Sequence, residues 1–171
     1  MNWEAIGAIG EIVGATAVVA TLVYLAVQIR NSTRIARSAT RQSIAETAMA
    51  MGTDLVADRD LATALLADLK NQEVDEVDWT RLMARNYVGM RHYENIHYQY
   101  LSGMLEEDEW QGFRRNLKSI LKWRSMREYW RNESQYFSDA FRAEVAAAQQ
   151  ESDCENSRMD HAYIAKPGSE A

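Results

Sequence analysis

The sequence predicts an all-α chain: one N-terminal transmembrane helix that continues into a small helical bundle. Three observations predict it. The run from Ala5 to Ile29 is apolar except at Glu11 and Gln28. The 171 residues hold a single proline, Pro167, and few glycines outside that run. Downstream, apolar residues recur at steps of 3, 4 and 7, the spacing of helices with one buried face. The expected organisation is a transmembrane segment over residues 1–30, a cytoplasmic helical domain over 31–149, and a disordered polar tail over 150–171.

The span comes first. At about 1.5 Å per residue the run reaches roughly 37 Å, enough to cross a hydrocarbon layer of about 30 Å with some tilt. A cleaved signal sequence needs a basic leader and a shorter apolar stretch, whereas MNWE is acidic, so an uncleaved anchor is expected. No Lys or Arg precedes the span, while Arg30, Arg34, Arg37 and Arg41 follow it with no acid between them. By the positive-inside rule the N-terminus lies outside and the rest of the chain in the cytoplasm. The arginine steps of 4, 3 and 4 keep the guanidinium groups on one helix face, where they would meet anionic lipid headgroups.

Within the span Gly7, Gly10, Gly14, Ala17 and Thr21 step by 3, 4, 3 and 4, a stripe of small residues that contains a G-x-x-x-G. Small residues let membrane helices approach closely, so the stripe predicts a homo-oligomer or a membrane-protein partner. Glu11 borders it, one turn from Gly7 and from Gly14. If Arg30 marks the inner edge of the hydrocarbon, Glu11 sits at the outer headgroups. If Trp3 and Tyr24 are the two interfacial aromatics, it falls about 12 Å inside the outer one, where it needs a partner, a proton or water. The first frame makes it an anchor tip; the second makes it a packing contact or, as an alternative function, part of an ion or proton path in an oligomeric channel.

The remaining elements follow in order. Nothing breaks the first helix until about Met51. A second runs from Asp60 to about Asn71 with Leu61, Leu65, Leu66 and Leu69 as its apolar stripe. Acidic NQEVDEVD is a loop that ends on Asp78 as N-cap. From Trp79 to about Met104, Met83, Met90, Tyr93, His97 and Tyr100 define a long amphipathic helix. Gly103 marks a turn, and EEDE opens the next helix. The stretch from Trp110 to Trp130 reads as a basic, aromatic helix, suited to the bundle core and to contact with an anionic membrane. A last helix from about Ser138 to Gln149 presents Phe141 and Val145.

The net charge of −6 conceals a pattern: acids crowd residues 54–78 and bases crowd 114–131, so the basic stretch is expected to pair with the acidic one. No nucleic-acid motif appears, and nucleic acid is not an expected partner. One cysteine, Cys154, excludes an intrachain disulfide and a cysteine-rich metal site.

The candidate chemistry is a polar cluster of His92, Glu94 and His97. Glu94 and His97 form Glu-x-x-His, half of the ligand motif of ferritin-like di-iron bundles. With three histidines in the chain, one of them His161 in the tail, a single-chain di-iron site is excluded, although two protomers could each supply half. The expected arrangement is instead a buried polar network of Glu94, His97, Tyr93 and Tyr100. No nucleophile, oxyanion loop or phosphate cradle accompanies His92 and Glu94, so neither an enzyme nor a cofactor or metal is expected.

The opening MNWEAIGAIGEIVGATAVVATLVYLAVQIRNSTR, with the later YENIHYQYLSGMLEEDEWQGFRR, resembles an uncharacterised family of short bacterial proteins that carry one N-terminal membrane helix and a helical cytoplasmic domain. The likeness covers about residues 1–145. It implies a bacterial inner-membrane location and transfers no activity or catalytic residue. The function these readings point to is a self-associating accessory, scaffold or interaction subunit.

Overall fold

The computed structural model describes the backbone of residues 3–164 and the side chains of residues 3, 7 and 9–152. Among the described residues there are six α-helices, one 3-10 turn and no strand, as the apolar spacing predicts. They are α1 (Trp3–Ala57), α2 (Arg59–Leu69), α3 (Glu76–Leu101), α4 (Glu107–Ile120), α5 (Arg124–Glu133) and α6 (Asp139–Ile164), with the turn at Ser134–Tyr136. The chain divides into two compact units, residues 1–42 and 43–171.

The first unit is α1 up to Gln42. Thr16 and Thr21 donate their hydroxyls to the carbonyls of Ile12 and Ala17, at 2.8 Å each, and Gln28 donates to the Tyr24 hydroxyl at 3.0 Å. These polar groups are thereby satisfied along their own helix, which lowers the cost of placing them in hydrocarbon. α1 passes the expected end near Met51 and stops at Ala57. There Asp58 leaves helical geometry and caps α2, accepting from the N–H groups of Asp60 and Leu61 at 3.0 Å.

In the second unit α3 is central, and α2, α4, α5 and α6 all pack on it. Its N-cap is Asp75, not the expected Asp78: Asp75 accepts from the Asp78 N–H at 2.8 Å, so Asp78 lies inside the first turn. Because several helices cover it, α3 buries one broad face. Leu82, Asn86, Gly89 and Ile96 lie inside along with the expected Met90 and His97. Gly103 turns the chain at φ +72°, and a capping box of Glu106 and Glu109 opens α4.

The expected helix from Trp110 to Trp130 is two helices, broken at Leu121–Trp123 without glycine or proline. On an unbroken helix, at about 100° per residue, Leu117 and Met126 would point in opposite directions. The break turns both inward: Leu117, Leu121, Met126, Tyr129 and Trp130 join Phe141 and Val145 in the main core. Burying each such side chain contributes about 1.5–3 kcal/mol, which outweighs the helical hydrogen bonds lost at the break.

α6 also departs from expectation. It passes Gln149 and is helical to Ile164, and Ser152 is buried. The boundary expected at residue 150 therefore does not end the helix; residues 165–171 of the expected tail lie outside the described residues. Arg114 of α4 explains the extension locally. It donates to Glu144 at 2.5 Å and to both oxygens of Glu151 at 2.7 and 2.8 Å, while Lys118 adds a contact to Glu151 at 3.3 Å. The basic stretch thus pairs with α6 rather than mainly with the acidic segment 54–78.

Candidate functional site

Along the apolar stretch of α1 the described side chains have no cover from other parts of the chain. From Ile9 to Ile29 apolar residues on every face are about half to two-thirds exposed, among them Ile12, Val18, Val23 and Val27. A Cβ added at Gly7, Gly10 or Gly14 would meet nothing within 4 Å. No close approach inside the chain therefore accounts for these glycines. Ala17, Thr21 and Glu11 are exposed on the same helix, as are Arg30, Arg34 and Arg41, whereas Arg37 is half-buried.

The polar cluster does not assemble. Glu94 accepts from Arg91 at 2.7 Å and from the Ser138 N–H at 2.7 Å, which ties α3 to the start of α6. His97 is buried against Trp110, Phe141 and Tyr100, with ring centroids 5.0, 5.9 and 6.5 Å away. Burial pushes its pKa down, with Glu144 opposing the shift. Tyr93 donates to Asn116 and Tyr100 to Glu107, each at 2.5 Å. The expected network of Glu94, His97, Tyr93 and Tyr100 is thus replaced by separate contacts to other helices. Residues at i, i+2 and i+5 of α3 face different neighbours, and His92 points elsewhere again. Among the described residues no three of His, Cys, Asp and Glu are grouped to hold a metal ion.

A different polar network lies in the core. Asp68, 1% exposed, accepts from the Ser125 hydroxyl at 2.6 Å and from the Ser125 N–H at 3.0 Å; Asn86 donates its amide to the same hydroxyl at 3.1 Å. Trp123, the N-cap of α5, makes no side-chain cap bond, so Asp68 supplies that cap from α2. A carboxylate at a helix N-terminus also meets the positive end of the helix dipole. The sequence does carry a signal for it. Asp68 sits three and seven residues after Leu65 and Leu61, an acid on the apolar stripe of α2.

The end of α1 with α3, α4 and the start of α5 lines a half-open cavity of about 580 Å³. Met51, Leu55, Ile96, Phe113, Ile120 and Met126 supply apolar wall; Arg85, His92, Tyr93, Glu109 and Asn116 supply the polar groups. The Arg85 guanidinium lies over Trp123, 5.3 Å from the ring centroid, and burial lowers its pKa. Burial also lowers the His92 pKa, and it pushes the Tyr93 phenol up to about 12. Size and lining are those of a small-molecule site. Of the expected polar residues His92 and Tyr93 belong to it, and Glu94, His97 and Tyr100 do not.

No protein-family model matches the chain, and neither a curated protein nor a solved structure is significantly similar to it.

Proposed function

We propose that the protein is a single-pass anchor subunit of a bacterial inner membrane, N-terminus outside and helical domain in the cytoplasm, that self-associates through its glycine stripe and acts as an accessory or scaffold. The observation that carries this reading is the apolar helix exposed on every face. Each large apolar side chain left in water forgoes about 1.5–3 kcal/mol, and lipid removes that penalty along the whole run. The basic residues on one side only support the orientation. The glycines that nothing in the chain approaches support a helix from outside the chain as their neighbour. Lipid and a second copy of the chain are then its partners.

Two measurements test the proposal. In intact bacterial cells an impermeant maleimide should leave Cys154 unlabelled and should label it in inverted vesicles; labelling of intact cells would reverse the topology. The mass of the detergent-solubilised protein should be a multiple of the protomer and fall to a single protomer in Gly14→Leu. An unchanged mass in that variant would remove the stripe from assembly.

A further inference from the structure

Inside the helices of the second unit three glycines occur, Gly52 on α1, Gly89 on α3 and Gly112 on α4, and all three line the cavity. Glycine within a helix is less favourable than alanine, so three helices each bear a penalty toward one space. At Gly89 an added Cβ would touch Met51 Cε at 3.6 Å, an ordinary contact. At Gly52 nothing lies within 4 Å, and at Gly112 only the tip of Arg115, at 3.9 Å. These positions need glycine for no packing reason in the chain. What they withhold is volume from the cavity.

The polar wall carries one cation, Arg85, and one carboxylate, Glu109. Arg85 makes no hydrogen bond or ion pair among the described residues, and His92 makes no hydrogen bond. The Asn116 carbonyl oxygen is taken by Tyr93, which leaves the amide N–H groups as its free donors. The carboxylate on the wall, Glu109, is engaged by the Glu106 N–H at 2.9 Å. The unengaged groups are the Arg85 guanidinium, a permanent cation, the Asn116 amide N–H groups, and the His92 ring with one donor and one acceptor when neutral, all set in an otherwise apolar surface.

We propose that this cavity binds an amphipathic carboxylate, its apolar body along Met51, Ile96, Phe113 and Ile120 and its carboxylate on the Arg85 guanidinium. The planar fork of Arg85, whose guanidinium carbon lies 5.3 Å from the Trp123 ring centroid, can meet both carboxylate oxygens. The occupant is a free, water-soluble acid of medium chain length. The anion pairs with a cation that no carboxylate touches directly, Asp68 acting on it only at longer range, and the chain occupies the space that Gly52 and Gly112 keep open.

The test is equilibrium dialysis of radiolabelled octanoate against the full-length protein in phosphatidylcholine nanodiscs, with empty discs subtracted. Saturable binding at one site per chain is expected, with octan-1-ol displacing it at least tenfold more weakly than unlabelled octanoate. Arg85→Gln should weaken binding about tenfold or more. Gly52→Leu should abolish it by filling the cavity, while its helix propensity rises, so that variant remains informative if Arg85→Gln does not fold. No saturable binding to the wild type, equal displacement by octan-1-ol, or wild-type affinity in folded Arg85→Gln or Gly52→Leu overturns the proposal.

Discussion

Replacing Asp68 by alanine removes two hydrogen bonds at once and leaves the first turn of α5 uncapped. The carboxylate is 1% exposed and accepts from the Ser125 hydroxyl at 2.6 Å and the Ser125 N–H at 3.0 Å. Hydrogen bonds to a charged group contribute about 1.5–3 kcal/mol each, and a helix cap about 1 kcal/mol. The desolvation that Asp68 bears in the folded state offsets part of this, so Asp68→Ala should cost about 3 kcal/mol. Asp68→Asn should cost less, about 1–2 kcal/mol. Its carbonyl can still accept from the Ser125 N–H, and rotating the Asn86 amide brings an acceptor to the serine hydroxyl. Ser125→Ala leaves the carboxylate with one bond and the Asn86 amide without its partner, for about 2 kcal/mol. The three groups act as one network, so Asp68→Ala and Ser125→Ala should be non-additive by about 1–2 kcal/mol. Urea unfolding of the full chain in mild detergent, followed by tryptophan fluorescence, measures all of these from the midpoint shift at constant slope. A cost below about 1 kcal/mol for Asp68→Ala, or additivity within about 0.5 kcal/mol, would refute the claim that α2 caps α5.

Other expectations follow from single contacts. Phe141→Ala, at a fully buried position in the main core, should lower stability by about 3–5 kcal/mol in the same urea assay. Gly103→Ala forces a side chain into a left-handed turn at φ +72° and should cost about 1–2 kcal/mol, with helix content unchanged by circular dichroism. The bonds from Arg114 hold the Glu151 carboxyl at about 2, below its ordinary 4.5. The folded chain therefore binds fewer protons than the unfolded one in that interval, and the α4–α6 contact should weaken as pH falls from about 4.5 to about 2. Glu151 is half exposed, so solvent limits the effect to about 1 kcal/mol, and Glu151→Gln should flatten the acid limb of a stability–pH curve by that amount.

How much of this was legible in the chain depended on the distance over which each feature is encoded. The helical class, the long apolar first helix, the Gly103 turn and the acidic start of α4 are set by residues within about one turn of each other: hydropathy, missing breakers, a glycine, a run of acids. Such signals can be read one window at a time. Their limit shows at Asp75 and Asp78, where neighbouring acids offered two caps, and at Asp58, where α1 ran further than expected.

Only the tertiary structure decided what contacts between distant residues decide. Asp68 and Ser125 are 57 positions apart, and their pairing is what lets the chain break between α4 and α5 where no local breaker stands. Arg114 reaches 37 residues to Glu151, which carries α6 past its expected end. His92, Glu94 and His97 lie close in sequence yet are drawn to different neighbours, because several helices share the broad covered face of α3 and each offers its own partners. The cavity exists only where α1, α3, α4 and the start of α5 meet around glycines that look incidental in the sequence. Periodicity states that a face is apolar. Which face it meets is set by packing, since burial energy depends on the area that two complementary surfaces remove from water together.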